Sequence, residues 1–263
     1  MQVARRAIKI SVITLLLCGA TGQTFAMDDT TITLGAKVWN NKWTTWNYYP
    51  PAGGIPGTTE NFTSPTRSPW IPSLTVRYKD FLVTGSWFSK ETYGFKDDFG
   101  TRFEGKRDET DLHAGYYVLP TLAVTLGYKS VKQDFGPGLT FKYSGPIIGA
   151  VGSAPLTRGF SLYGNFGYGP FKANFPSGMV DFNGRGTLDA DYYLGEVGIA
   201  YSFDIKSVIP TAKAMTATLG YRNQTIAVKD FAAEIGPAVP GQSRPTELRD
   251  NTEGLALGLS ISF

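Results

Sequence analysis

The nine residues that end the chain constrain its fold more than any other stretch. They read Leu-Ala-Leu-Gly-Leu-Ser-Ile-Ser-Phe, from Leu255 to Phe263. Every odd-numbered position is large and apolar, and Ala256, Gly258, Ser260 and Ser262 between them are small. A period of two is that of a strand with one greasy face and one small or polar face. The same period recurs upstream. Leu122, Val124, Leu126 and Tyr128 alternate with Ala123, Thr125, Gly127 and Lys129. Met215, Ala217, Leu219 and Tyr221 alternate with Thr216, Thr218, Gly220 and Arg222, and Leu112, Ala114, Tyr116 and Val118 with Asp111, His113, Gly115 and Tyr117.

Ten stretches read as strands: about 30–45, 70–79, 81–94, 107–118, 121–133, 140–153, 159–172, 187–203, 211–224 and 251–263. Their connections alternate in length. Lys79-Asp80, Leu119-Pro120 and Pro155 to Arg158 are tight, and Asp204 to Pro210 is slightly longer. Between them lie long excursions rich in Gly, Pro and Asn, at 46–69, 95–106, 134–139, 173–186 and 225–250. Short turns at one end and long loops at the other belong to a barrel inserted in a membrane. After residue 26 no stretch supplies 18 successive apolar residues, so no helical span is expected. A closed barrel spans by strands instead, because closure satisfies every backbone donor and acceptor within the sheet.

The N-terminus reads as an export signal. Arg5, Arg6 and Lys9 precede an apolar run from Ile10 to Ala20, and Thr24-Phe25-Ala26 fits a small-x-small cleavage site. The expected division is therefore a cleaved signal peptide at 1–26 and a barrel at 27–263. Cys18, the one cysteine, leaves with the signal, so the mature core holds without disulfides. Three of the 25 basic residues leave too, which sets 22 basic against 22 acidic residues. That balance gives no support for nucleic-acid binding.

With the apolar face turned to lipid, parity places Lys37, Arg77, Glu109, Asp111, His113, Lys129, Glu196 and Arg222 in the lumen. Charges of both signs at similar depth form either a paired polar core or a lining that tunes passage of a small polar solute. Asp111 sits beside His113, the sole histidine, on one face. A mid-height interior place denies that pair the substrate access that acid–base catalysis needs, so no enzymatic activity is expected. One histidine, no mature cysteine and scattered carboxylates make no metal site, and no cofactor is implied. Trp43, Trp46, Tyr48 and Tyr49 open the first long excursion, ahead of Pro50-Pro51 and Pro56-Gly57. They are candidate contact residues on a surface loop, or they fold inward and narrow the barrel mouth, or they rest on lipopolysaccharide.

The signal, the alternation and the terminal Leu259-Ser260-Ile261-Ser262-Phe263 pattern together resemble bacterial outer-membrane β-barrel proteins, across the whole chain and at the level of architecture. The resemblance implies an all-β, closed antiparallel transmembrane barrel of about ten strands, with eight or twelve as alternatives. It also implies a place in the outer membrane, with lipid and lipopolysaccharide as surroundings. Barrel-assembly machinery is the implied partner during insertion, and Phe263 the C-terminal assembly signal. Two functions fit. One is a narrow porin-like channel for small polar solutes, since about eight strands leave an interior that side chains fill and sixteen or more leave an aqueous pore. The other is a structural or surface-interaction barrel with a plugged lumen that acts through its extracellular loops.

Overall fold

Alternation sets which strands form, and hydrogen-bond closure sets how far they run. A computed structural model describes residues 29–52, 54, 56–97, 100, 102–176, 185–228 and 246–263. The signal at 1–26 and most of the last long loop lie outside the described residues. All regular elements described are strands: β1 (Thr30–Tyr49), β2 (Thr58–Thr63), β3 (Trp70–Tyr78), β4 (Phe81–Asp97), β5 (Arg102–Leu119) and β6 (Leu122–Asp134), followed by β7 (Thr140–Pro155), β8 (Phe160–Asn174), β9 (Thr187–Phe203), β10 (Ala214–Val228) and β11 (Glu247–Ser262).

From β4 to β11 each strand pairs antiparallel with the next. β11 then pairs with β1 over an unbroken register from Thr33↔Ser262 to Tyr48↔Glu247, which closes the sheet. The ring has ten positions, as expected, because β2 and β3 share one. β2 pairs with β1 at Thr44↔Thr63, and further down Trp39 N–H donates to the Pro69 carbonyl. A single returning strand is thus interrupted where Pro65, Pro69 and Pro72 interfere with the ladder.

Several strands run further towards the long-loop end than the alternation suggested. β1 reaches Tyr49, so Trp43, Trp46, Tyr48 and Tyr49 are strand residues and not a loop. β2 lies inside the stretch 46–69, β10 runs to Val228, and β11 starts at Glu247. The cause is visible on the outer face. Above Tyr128 the outward positions of β6 become Ser130, Lys132 and Asp134, so the ladder continues while the greasy period stops. The wall projects beyond the lipid, and there polar residues face water.

The lipid-facing band is bounded by two rows of rings. Tyr78, Phe81, Tyr116, Phe160 and Tyr201 are exposed near the short turns, with Phe81 against Tyr116 and Phe160 against Tyr201 at 5.1 and 4.6 Å between ring centroids. Trp70, Trp87, Tyr128, Tyr168, Tyr193 and Tyr221 mark the other boundary. Amphipathic rings at both headgroup levels are the expected girdles. At the tip of the β6–β7 hairpin, outside the membrane, the Gly136 N–H donates to the Asp134 carboxylate. That bond, with Lys90 nearby, holds the Asp134 carboxyl below its ordinary value.

Candidate functional site: the filled lumen

Parity along each strand turns one polar set inward, and closure brings the sets within reach of each other. Glu196 on β9 sits directly across from Arg222 on β10 and accepts from its guanidinium at 2.9 Å. Lys37 on β1, three strands round the ring, donates to the same carboxylate, and the Tyr163 hydroxyl adds a bond at 3.0 Å. The Tyr163 ring reaches this position because its neighbours are Gly198 and Gly220. A Cβ on Gly220 would stand 2.3 Å from the Tyr163 hydroxyl oxygen.

A second group lies on β5, β6 and β11. Arg107 bonds Glu109 at 2.8 Å and Asp250 at 2.6 Å. Lys129 bonds Glu109 at 2.7 Å and Asp111 at 2.9 Å. Asp111 also meets His113 Nε2 at 2.6 Å. Gln224 joins the two groups: its carbonyl oxygen accepts from Arg222 and Tyr192, and its amide donates to Glu109. Cation–π contacts seat the guanidiniums, Arg107 over Trp43 and Arg222 over Trp39, each 5.2 Å from the ring centroid.

Seven of the eight residues read as lumen-lining therefore stand in one hydrogen-bonded network: Lys37, Glu109, Asp111, His113, Lys129, Glu196 and Arg222. Arg77 stays outside it. It is half-buried near a short turn, donates to the Lys79 carbonyl and stacks 4.1 Å from the Tyr117 ring centroid. Of the four loop candidates, Trp43 is fully buried and donates its indole N–H to Asp250 at 2.5 Å. Trp46 carries Arg249 over its ring on the outer wall. Tyr48 is exposed and registers with Glu247, and the Tyr49 hydroxyl donates to Glu60 at 3.2 Å.

Asp250, Arg107, Gln133, Gln224 and Tyr163 belong to the site and were not among the residues singled out from sequence. The signal for two of them was present. Counting back by twos from Asp111 reaches Arg107, and from Ala256 it reaches Asp250. Strand ends drawn where the greasy face stops put both at or beyond the edge.

Towards the long-loop end the lumen is packed with apolar side chains. Trp39, Trp43, Phe88, Tyr93 and Phe95 form one buried cluster. Val131, Tyr143, Ile147, Phe171, Leu188, Tyr192 and Ile226 belong to another. Phe171 stacks on Tyr192 at 4.8 Å, and Trp43 meets Phe95 edge-on at 4.7 Å. Towards the short turns the inward positions are small and half-exposed, including Thr33, Gly35, Thr75, Thr84 and Gly115.

No family model matches the chain, and no curated protein matches it. Among solved structures it is similar to the outer membrane protease OmpT from Escherichia coli, at 14% identity and a TM-score of 0.50, covering 92% of this chain and 99% of that one. It is also similar to the outer membrane protein OprG from Pseudomonas aeruginosa, at 12% identity and a TM-score of 0.36, over 89% of this chain and 96% of the other. The toluene transporter TodX from Pseudomonas putida follows at 9% identity and a TM-score of 0.28, over 90% of each chain. The likeness to OmpT speaks for architecture alone. Closed ladder, girdled lipid face and the likeness to the OmpT structure agree: this chain has the fold of the bacterial outer-membrane β-barrels.

Proposed function

We propose that this chain is an outer-membrane barrel with a closed lumen, which anchors a raised extracellular wall and acts through that wall and its loops. One observation carries the reading. Lys37, Arg107, Lys129 and Arg222 pair with Glu109, Asp111, Glu196 and Asp250 inside the lumen, four cations against four carboxylates, and the Lys37–Glu196 and Arg107–Asp250 pairs join strands that are not neighbours. Seven of these eight are buried or nearly so, and Lys37 is the most exposed at 27% of its side chain. Charges so deeply buried are tolerated only when paired, and here each one is. A lining that steers ions presents charge of one sign to water, whereas here the charges are consumed in pairs and the lumen towards the long-loop end is filled by buried aromatic and aliphatic side chains. No residue of this chain is proposed as catalytic.

The competing reading is a narrow channel for small polar solutes. It requires the Lys37–Glu196–Arg222 group to part. Conductance of the folded protein in planar bilayers separates the two. The closed reading expects no discrete steps, from the native chain or from Glu196→Gln. Small reproducible steps whose size changes in Lys37→Gln or Glu196→Gln would replace the plug with a pore constricted at that layer.

A further inference from the structure

The barrel wall has a weak joint beside β4. β3 and β4 pair from Tyr78↔Phe81 up to Ser73↔Ser86. β2 and β4 pair again at Thr63↔Lys96 and Phe62↔Asp97. Between these points residues 64–72 and 87–95 run side by side without a ladder. By comparison, the β7–β8 ladder breaks only between Ser144↔Lys172 and Ile148↔Tyr168. The causes are local. Successive residues of a strand point their backbone groups to opposite neighbours. Pro69 gives its carbonyl to Trp39 on β1, so Pro72, three residues on, faces β4 with no N–H to offer. β4 in turn is irregular between Phe88 and Glu91. The contacts that cross the gap come from side chains: Arg67 Nε to the Thr92 carbonyl at 3.1 Å, and the Ser89 hydroxyl to the Trp70 carbonyl at 3.4 Å.

The joint has a greasy foot and a basic head. Trp70 and Trp87, 46% and 55% exposed, flank it at headgroup level. Above them Arg67 is exposed, and Lys42 and Lys96 line an outer-wall cleft of about 820 Å³ together with residues 63–66, Gly100 and one carboxylate, Asp97, so that with Arg67 three cations stand against one anion. Neither Lys42 nor Lys96 makes an ion pair among the described residues. Inside the joint, Ile71 and Phe88 pack with Trp39, so its inner surface is closed by apolar side chains.

We propose that this joint binds one phosphorylated glycolipid of the outer leaflet, with acyl chain against Trp70 and Trp87 and phosphates on Arg67, Lys42 and Lys96. Charge complementarity selects this occupant: guanidinium and ammonium groups above an interfacial Trp pair match phosphate above acyl chain. The bound lipid covers backbone groups that no strand covers. The inference needs only the outer-membrane fold and is independent of whether the lumen is closed.

The test uses the full chain folded in detergent micelles, with a short-core lipopolysaccharide as probe and the same molecule dephosphorylated. Binding is read by native mass spectrometry, and backbone protection by hydrogen exchange. Expected are one lipid bound, at least tenfold weaker binding after dephosphorylation, and at least tenfold weaker binding in Lys42→Glu/Arg67→Glu/Lys96→Glu. Charge reversal on the opposite wall, Lys132→Glu/Lys142→Glu/Lys172→Glu, should change affinity less than twofold. The lipid should slow amide exchange across 87–95 in the native chain and in the opposite-wall variant. Equal loss in both triple variants, indifference to phosphate, or unchanged exchange at 87–95 would each overturn the proposal. If the first triple variant does not fold, Lys42→Gln and Lys96→Gln carry the test, each with a loss of about threefold expected and no loss counting against it.

Discussion

At the scale of single residues, Asp250 shows how burial converts one carboxylate into a structural hub. It is 1% exposed and accepts from Arg107, Trp43, Gln133 and Thr45, which come from three other strands. Taking charges out of water costs several kcal/mol per ion, which only close partners offset. Removing the carboxylate therefore costs more than the bonds it makes, because Arg107 stays buried with Glu109 as its remaining anion. Asp250→Ala should destabilise the barrel by roughly 3–5 kcal/mol, the range for breaking one side of a buried pair. Lys172→Ala removes a pair of which both members are mostly exposed, and there about 0–1 kcal/mol is expected. Urea unfolding of both variants in lipid vesicles checks the contrast. Equal losses would mean that the lumen network contributes no more than surface charge does.

At the scale of elements, the interrupted second strand is where sequence and ladder part company. Pro72 lies one register step above Ser73↔Ser86, opposite Trp87. Pro72→Thr restores a donor on the side that faces β4, so the ladder should grow by at least one pair. Amides at 86–88 should then exchange several-fold more slowly, since exchange from a strand follows local opening. Unchanged exchange there would assign the gap to the β4 irregularity alone. Much of the fold was legible because lipid imposes alternation: Leu122 to Tyr128 and Leu255 to Leu259 declare their faces without help. Above the girdle that pressure stops. β1 from Trp43 to Tyr49 and β11 from Glu247 to Glu253 are held by their ladder and by lumen packing, and their outward residues are free to be polar. Hence Trp46, Tyr48 and Tyr49 read as loop residues, and Asp250 fell outside its strand. The pairing of Lys129 with two carboxylates was equally invisible, because partners on separate strands are fixed by register and not by spacing in the chain.

At the scale of the whole molecule, the lumen network is one object rather than two. The Lys37–Glu196–Arg222 group and the Arg107–Glu109–Asp250 group share no ion pair among the described residues. They meet at Gln224, which accepts from Arg222 at 3.3 Å and donates to both Glu109 oxygens at 3.2 Å. Tyr192 fixes the amide by donating to its oxygen at 2.6 Å. An amide so placed passes a displacement on: if Arg222 loses Glu196 and swings, Gln224 follows, and Glu109 loses a donor. Residues in one hydrogen-bond network depart from additivity by about 0.5–3 kcal/mol, while independent sites add within about 0.3–0.5 kcal/mol. Glu196→Gln and Asp250→Asn should therefore be non-additive in the native background, although they sit on different sides of the network. In a Gln224→Leu background the same two substitutions should become additive. Leu fills a similar volume but offers no hydrogen bond, so the change in coupling isolates the amide. Persistent coupling in that background would show that the two halves communicate through packing of Trp39, Trp43 and Tyr192. Additivity in both backgrounds would show two independent plugs stacked in one barrel.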